Sequence, residues 1–135
     1  MDDAAARAYL ARNHRGVLAT LRGDGRPQLS PIMYTLDPHD NLIKISVTQT
    51  RAKVANIRRD PRVALQVMGD NFYEYLVVEG TARLIEQDVL PELRRVYEQI
   101  AGKPHPNWQE YDEAMVNDQR LILAIQPERL YPVSS

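Results

Sequence analysis

Strand patterns that follow one another with only tight turns between them constrain the fold of this chain most. Residues 16–22 have a strand pattern and lead through Gly-Asp-Gly-Arg-Pro into residues 28–36, which continue as a second strand. Asp-Pro-His-Asp-Asn then turns the chain into residues 42–48, a third strand. Short turns of this composition connect antiparallel neighbours. The pattern therefore predicts three antiparallel strands in a row.

The second half of the chain adds further strands and a glycine in an unusual place. Residues 62–68 and 73–85 both have strand patterns, and Gly80 lies inside the longer one. An isolated glycine within a strand is typical of a bulge or sharp bend, which lets a sheet curl. Residues 121–125 and 129–133 predict the terminal part of the sheet. We therefore expect a mainly β fold, a small antiparallel barrel with helices across its ends.

Four helices are predicted beside these strands. Apolar residues at helical spacing mark residues 3–13, 88–100 and 108–117, and a further helix begins at the N-cap Thr50 and ends at Asp60-Pro61. The 135 residues suffice for one hydrophobic core, and we expect a single domain, residues 1–135. A barrel of this size has little interior room, so a cofactor would bind outside it or between subunits.

Composition and charge exclude several classes of function. With 17 Lys and Arg against 18 Asp and Glu, the chain has no overall basic field with which to hold a nucleic acid. The chain has no cysteine, so thiolate catalysis and cysteine-bound metals are excluded. His14, His39 and His105 lie in predicted loops without a second ligand at metal-binding spacing, and we interpret them as surface residues. No apolar run approaches the ~20 residues that cross a bilayer, and the sequence predicts a cytoplasmic protein without a metal.

Residues 46–62 carry the feature that bears most directly on function. Thr50 can cap a helix whose first turn contains Arg51 and Lys53, where the helix dipole disfavours cations by roughly 0.3–1 kcal/mol each. Free amides, the positive dipole end and two cationic side chains together make a phosphate site. Alternatively, both side chains extend into solvent, as most surface Arg and Lys do. Because the helix directly follows a strand, we favour the interpretation that this helix start is a phosphate-binding site.

The order and spacing of several segments resemble one known family. Residues 16–30, 42–62 and 77–84, followed by Ile-Ala-Gly-Lys, residues 108–115 and the terminal strand, are similar to the flavin-reductase-like split barrels related to pyridoxamine phosphate oxidase. Arg-Ala-Lys-x-x-Asn-Ile-Arg-Arg-Asp-Pro-Arg resembles most the branch that uses the deazaflavin coenzyme F-420 in place of FMN. The resemblance implies a six-stranded antiparallel split β-barrel of the FMN-binding type. It also implies a homodimer with two cofactor sites in grooves between the protomers.

The resemblance further implies which residues bind the cofactor. One group would hold its phosphate, and this group is Ser46, Thr48, Arg51 and Lys53. A second group would lie along its ring, and this group is Ser30, Pro31, Ile32 and Met33, with Gln28 nearby. Pro31 has no amide hydrogen, so one backbone donor to the ring is missing.

Aromatic residues are expected on the substrate side of the groove. The resemblance places Tyr73 there, from the partner chain. Phe72, Tyr75, Trp108 and Tyr111 are further candidates for this wall. The alternative for these aromatic side chains is packing within the dimer core.

The chain has no sequence pattern of acid–base or nucleophilic catalysis, and no Gly-rich dinucleotide or P-loop motif. A reduced cofactor can supply the chemistry instead, so that the protein has only to bind, orient and exclude water. We therefore expect an F-420-dependent oxidoreductase that transfers hydride to an electron-poor small molecule such as an activated alkene, an imine or a quinone. The proton would come from solvent or from Tyr73.

Cofactor identity leaves alternatives open. FMN could replace F-420, either in a pyridoxamine phosphate oxidase-like enzyme or in another reductase, and a noncatalytic carrier of F-420, FMN or haem belongs to a different class. F-420 has an acidic oligoglutamate tail, which a local basic run would help to bind. The candidates for that run are Arg22, Arg26, Arg58, Arg59 and Arg62, although helix-end arginines also complement the helix dipole.

Overall fold

One antiparallel sheet of seven strands, curled on itself and flanked by four helices, forms the fold of residues 1–132, the part of the chain that the computed structural model describes. In chain order the elements are α1 (Asp3–Arg12), β1 (Arg15–Leu21), β2 (Pro27–Met33), β3 (Thr35–Leu36), β4 (Ile43–Thr48), α2 (Ala52–Arg59), β5 (Arg62–Met68), β6 (Tyr75–Ile85), α3 (Val89–Ala101), α4 (Trp108–Asn117) and β7 (Arg120–Tyr131). The strand order across the sheet is β2-β1-β5-β6-β7-β4-β3.

The curled sheet is split between β2 and the second half of β4. β2 and β3 are neighbours in the chain but lie at opposite edges of the sheet, which brings the two edges together. β3 pairs only with Ile43 and Lys44, so the rest of β4, as far as Thr48, pairs only with β7. A cleft separates that part of β4 from β2. The structure thus confirms the predicted split-barrel fold.

Residues 1–132 form seven strands, whereas the family resemblance implies six. The predicted strand over residues 28–36 is interrupted at Tyr34, which leaves the sheet between β2 and β3. The buried Tyr34 amide donates to the carbonyl oxygen of His14 at 2.8 Å, and its hydroxyl donates to the carbonyl oxygen of Leu10 at 2.7 Å. These bonds hold the corner at which the chain crosses from one sheet edge to the other. The predicted segments 121–125 and 129–133 are one strand, β7, and Val133 lies outside the described residues.

The helix that follows β4 begins one residue later than predicted. Arg51, not Thr50, is the N-cap of α2, and its side chain makes no capping hydrogen bond. The reason is that Arg51 keeps an extended conformation, φ −72° and ψ 147°, while its amide donates to the carbonyl oxygen of Thr48 at 3.0 Å. The Thr50 hydroxyl is therefore one position too early to cap the helix. The first turn of α2 has no acidic residue and no side-chain cap.

The bulge predicted at Gly80 is confirmed, and the sheet has apolar side chains on both faces of β7. The register between β6 and β7 shifts between Glu79 and Gly80. Leu121, Leu123 and Ile125 point into the barrel core, while Ile122 and Ala124 pack against α3 and α4 in a second apolar cluster. Burial on both faces explains why this segment is a continuous apolar run.

Two of the three histidines are less exposed than the sequence predicts. His39 is exposed, but His14 and His105 are half-buried. His14 Nδ1 lies 3.1 Å from the carbonyl oxygen of Tyr34, and His105 packs against Tyr97 with ring centroids 5.1 Å apart. Within residues 1–132, no three His, Asp or Glu side chains form a group that could hold a metal ion. None of the helices in these residues is long and apolar enough to cross a membrane.

Candidate cofactor-binding site

A cleft of about 570 Å³ lies in the split of the barrel, between β2, β4, the start of α2, the end of α3 and the start of β7. Nine of the ten predicted cofactor-binding residues line it, and these are Gln28, Ser30, Pro31, Ile32, Met33, Ser46, Thr48, Arg51 and Lys53. The structure brings together residues of β2 and of the β4–α2 segment that are up to 25 positions apart in sequence. Tyr73 is the predicted site residue that does not line the cleft.

One end of the cleft is cationic. Arg51, Lys53 and Arg120 line it, and its described lining contains no Asp or Glu. The pKa of Lys53 is lowered, chiefly by burial and further by the positive charges of Arg51 and Arg120. An anion placed among these groups would reverse the unfavourable electrostatics. The uncapped first turn of α2 adds backbone amides and the positive end of the helix dipole.

Arg120 is a site residue that the sequence analysis did not identify. It begins β7 directly opposite Thr48 of β4, and its Nη1 is 3.4 Å from the carbonyl oxygen and 3.5 Å from the hydroxyl of Ser46. Its Nε is buried without a hydrogen-bond partner and lies 3.5 Å from Asp118 Oδ2. A single cation immediately before the apolar run of β7 was the signal, but only the β4–β7 pairing shows which cleft it reaches.

Strand alternation presents the two hydroxyls of β4 to the cleft. Ile43, Ile45 and Val47 are buried in the barrel core, whereas Ser46 and Thr48 between and after them are half-buried. Because successive side chains of a strand point to opposite faces, the two hydroxyls share the face that is near the cationic end.

Asn56 is a second residue to which the sequence analysis gave no role. Its buried Nδ2 donates to Gln28 Oε1 at 2.8 Å and to Thr20 Oγ1 at 3.0 Å, while its Oδ1 accepts from Arg59 Nη2 at 2.9 Å. These bonds fix α2 to the β1–β2 hairpin. They therefore fix the distance between the cationic helix start and the β2 wall. In the sequence, the position of this asparagine beside Ile57 on the apolar side of a short helix is the feature that indicates a buried polar contact.

The opposite end of the cleft is apolar and is formed by an edge strand. β2 pairs only with β1 among the described strands, so its other edge is unpaired. Pro31, Ile32 and Met33 of β2 and Val96 and Ile100 of α3 line this end. A planar ligand could lie against β2 here and use backbone groups of the unpaired edge, except at Pro31, which has no N–H.

The predicted aromatic wall is not assembled within one chain. Tyr73 and Phe72 are 88% and 89% exposed in the loop before β6, with ring centroids 5.4 Å apart. Trp108 and Tyr111 pack in the second apolar cluster, between α3 and α4, and line neither this cleft nor its neighbours. The Tyr111 hydroxyl donates to the carbonyl oxygen of Leu93 at 2.9 Å. Within their own chain Trp108 and Tyr111 thus pack between α3 and α4, and their contribution to a wall formed with the partner chain stays a prediction.

The five candidate arginines for an acidic tail fall into different places. Arg22 and Arg59 line a groove of about 450 Å³ that shares Gln28 and Ala52 with the main cleft. Arg22 is also paired with Asp24 at 3.0 Å, and Arg58 and Arg62 form ion pairs with Glu86 at 2.6 Å and with Asp60 at 2.7 Å. Arg26, the fifth candidate, lines neither the groove nor the cleft. Only part of the predicted basic run is thus directed toward the cationic end of the cleft.

Comparison with known proteins gives matches over nearly the whole chain. The family model described as pyridoxamine 5'-phosphate oxidase matches residues 2–134. An F420H(2)-dependent biliverdin reductase from Mycobacterium tuberculosis is 28% identical over 127 residues, which cover 93% of this chain and 83% of that protein.

Two solved structures with the same fold are also similar to this chain in sequence. A conserved hypothetical protein from Mycobacterium tuberculosis superposes with a TM-score of 0.78 at 27% identity, covering 96% of this chain and 82% of that chain. A protein described as an F420 reductase superposes with a TM-score of 0.69 at 26% identity, covering 92% of this chain and 94% of that chain.

Proposed function

Because this chain belongs to the pyridoxamine 5'-phosphate oxidase family, we propose that it is an oxidoreductase that binds coenzyme F-420 at a homodimer interface. It transfers hydride to an electron-poor small molecule such as an activated alkene, an imine or a quinone. The observation that carries the proposal is the convergence of Arg51, Lys53 and Arg120 on one end of a cleft without a carboxylate. The similarity to proteins named as an F420H(2)-dependent biliverdin reductase and an F420 reductase supports the choice of coenzyme.

The residues of the cleft fit a phosphate and a flat ring. Uncapped amides of α2, the side chains of Arg51, Lys53 and Arg120 and the hydroxyls of Ser46 and Thr48 are all donors to an anionic oxygen. The apolar β2 end suits a planar heterocycle, whose polar edge can bond the unpaired strand backbone. The hydrogen-bond donors at one end of the cleft suit the phosphate of a flavin-type coenzyme, and the apolar surface at the other end suits its ring.

The reduced coenzyme supplies the hydride when bound, so the protein needs no nucleophile of its own. The described lining of the cleft contains no Asp, Glu or His. The residues of this chain therefore act by anchoring the phosphate, orienting the ring along β2 and excluding water on the α3 side with Val96 and Ile100. The proton comes from solvent or from Tyr73 of a second copy.

The groove beside the phosphate end favours F-420 over FMN. Arg22 and Arg59 line it, and it continues from the cleft along Gln28 and Ala52. Arg59 donates to two uncharged oxygens, those of Asn56 and Leu21, and has no carboxylate partner among the described residues. An acidic tail attached to the phosphate can reach these cations. FMN has no such tail and would leave the groove unused.

A homodimer is supported by an exposed apolar face of the sheet. Side chains of β2, β1, β5 and β6 that point away from the core align in three rows, which are Leu29-Ala19-Ala64-Glu79, Pro31-Val17-Gln66-Val77 and Met33-Arg15-Met68-Tyr75. We call these twelve residues the outer face. Leu29 is 65% exposed and Met68 is 52% exposed. Pro31 and Met33 also line the cleft, so a second copy on the outer face would lie across the open side of the site.

Titration of the purified protein with both coenzymes tests the proposal. Quenching of F-420 fluorescence at micromolar concentration, with weaker or no binding of FMN, is the expected result. Steady-state oxidation of reduced F-420 by enones and quinones then separates an enzyme from a carrier. A yellow protein that retains FMN and ignores F-420 would support the FMN-dependent oxidase instead. Binding of F-420 without turnover of any acceptor would support a noncatalytic carrier.

A further inference from the structure

A second cleft, of about 860 Å³, adjoins the cofactor cleft and shares four lining residues with it: Pro31, Ile32, Met33 and Ile100. It continues beyond the end of β2 to the α1–β1 connection and the β5–β6 turn. A ligand in the second cleft would therefore lie next to whatever rests against β2 in the first. The apolar shared wall suits contact between two flat molecules.

The far side of the second cleft carries unpaired positive charge. Arg12 and Arg15 line it, with Asp70 as the one acidic residue of its described lining. Arg12 lies over the ring of Tyr9, with its guanidinium carbon 5.0 Å from the centroid. Neither arginine forms an ion pair or hydrogen bond with a carboxylate of residues 1–132, although other arginines on this surface, such as Arg7, do so. Two guanidinium groups without a carboxylate partner at the rim of an apolar cleft match a carboxylate.

The connection between α1 and β1 is held firmly, so the two arginines are placed by a fixed backbone. His14 lies between them and packs near Tyr34, with Nδ1 3.1 Å from the Tyr34 carbonyl oxygen. Since a carbonyl oxygen can only accept, Nδ1 carries the hydrogen. Asn13 donates to the carbonyl oxygen of Tyr9 at 2.8 Å. The α1–β1 connection is therefore anchored to both the first helix and the β2–β3 corner.

We propose that the second cleft is the binding site of the hydride acceptor, and that Arg12 and Arg15 select an acceptor that carries a carboxylate. This inference rests on the proposed function, which places the coenzyme ring against β2. The acceptor gains a hydride at one carbon of its activated double bond and a proton at the adjacent carbon. It is thereby reduced by two electrons, and the reduced coenzyme is the electron source.

A matched pair of acceptors tests the charge preference. The probes are 4-carboxychalcone and its carboxamide, which share the enone and differ in one charge. We expect the Arg12→Gln/Arg15→Gln double variant to raise KM for the acid at least about tenfold, the lower range for hydrogen bonds to charged groups. KM for the amide should change less than about twofold. Arg7→Gln, on the exposed face of α1, is the control and should affect neither.

Two further measurements separate this inference from the proposed function. Calorimetric titration of the coenzyme-free protein with the saturated dihydro acid, which cannot be reduced, should show tighter binding than its amide, and the double variant should abolish the difference. Titration of the Arg12→Gln single variant with F-420 should give the wild-type affinity, because Arg12 lies in α1 and outside the outer face. Equal binding of acid and amide by the wild type would overturn the inference even if F-420 binds. Failure of the wild type to bind F-420 would overturn the proposed function.

Discussion

Lys44 and Asp37 form a buried ion pair, with Nζ 2.7 Å from Oδ2 and both side chains 1% exposed. Lys44 also contacts Asp40 and Glu92, each at 2.9 Å, and Arg95 of α3 donates to Asp37. The network joins the turn before β4 to α3. Because α3 carries Ile100, which lines both clefts, the network fixes one wall of the candidate site from outside it.

Replacement of Asp37 by Asn should strongly destabilise the fold. It would remove the closest counter-charge of the buried Lys44 ammonium, which keeps Asp40 and Glu92 at 2.9 Å. We therefore expect the loss of one hydrogen bond between charged groups, about 1.5–3 kcal/mol. The free energy of unfolding from urea titration measures the effect. Asp3→Asn, which breaks an exposed pair with Arg7, is the control and should cost about 0–1 kcal/mol. Equal effects of the two variants would contradict the role of the buried pair.

The same pair predicts how stability depends on pH. Burial alone would raise the pKa of Asp37, but hydrogen bonds and charges from Lys44, His39 and Arg95 outweigh it and lower the pKa. The contribution of Asp37 to the free energy of unfolding is therefore complete above the ordinary Asp pKa of about 4. It is lost as the pH falls through the lowered pKa of Asp37 in the folded state. Burial alone would lower the pKa of Lys44, yet its three carboxylate partners raise it. Its contribution is lost as the pH rises through that raised value.

Thermal unfolding across this pH range checks both limits. The wild type should lose stability below about pH 4 and again above about pH 10.4, the ordinary lysine value. Asp37→Asn should flatten the acidic limb because the group that titrates there is gone. An acidic limb of unchanged steepness in this variant would show that other carboxylates dominate.

Gly80 should not tolerate a side chain. A Cβ built at this bulge position would lie 2.3 Å from the carbonyl oxygen of Gln126, a backbone atom that cannot move without breaking the β6–β7 pairing. Gly80→Ala should therefore lower the free energy of unfolding by about 1–3 kcal/mol, the range for overpacking. At Gly23 the added Cβ would have its nearest contact 3.5 Å away, at Arg59. Gly23→Ala is thus the control and should be nearly neutral.

Local sequence patterns predict the elements well, but pairings between distant residues are less predictable. One glycine in a long strand is enough to predict the bulge at Gly80. The start of one short helix is enough to predict that Arg51 and Lys53 lie close together. Tyr34 breaks the second strand because of hydrogen bonds to Leu10 and His14, contacts that local alternation does not encode.

The same limit explains which site residues the sequence predicts and which it misses. The cationic end of the cleft is predictable in part because β4 and α2, which supply Ser46, Thr48, Arg51 and Lys53, are consecutive in sequence. Arg120 reaches it only through the pairing of β7 with β4, 72 positions away in sequence from its partner Thr48. Trp108 is a candidate for the substrate wall by its residue type alone, and the packing of α4 on α3 places it in the second apolar cluster of its own chain.

Lys53→Ala should weaken coenzyme binding by about 1.5–3 kcal/mol, the range for a hydrogen bond to a charged group. Lys53 is half-buried at the cationic end of the cleft, so solvent cannot fully replace it. Fluorescence titration with F-420 gives the affinity. Lys103→Ala removes an exposed lysine outside the cleft and serves as the control. Unchanged affinity of the Lys53 variant would refute the phosphate assignment.

Coenzyme affinity should decrease as the pH rises through the lowered pKa of Lys53. Burial is the largest cause of that lowering, followed by the charges of Arg51 and Arg120, and only protonated Lys53 attracts the phosphate. Arg120→Gln should weaken binding at neutral pH and move the decrease to higher pH, because one of the charges that lower the pKa is removed. The dissociation constant measured against pH checks both effects. Lys53→Ala should abolish the titration, and a decrease that persists in it would assign the effect to another group.

Leu29→Arg should convert the proposed dimer to a monomer. Leu29 is 65% exposed in the outer face, on its edge strand β2, and a charge buried there against a second copy would lose its hydration. Light scattering should give twice the chain mass of 15.5 kDa for the wild type and the single mass for the variant. Val116→Arg, at an apolar residue of α4 that is 63% exposed, should leave the dimer intact. F-420 affinity should fall with Leu29→Arg, since the second copy is expected to complete the site. A monomeric wild type that binds F-420 would remove the dimer from the proposal.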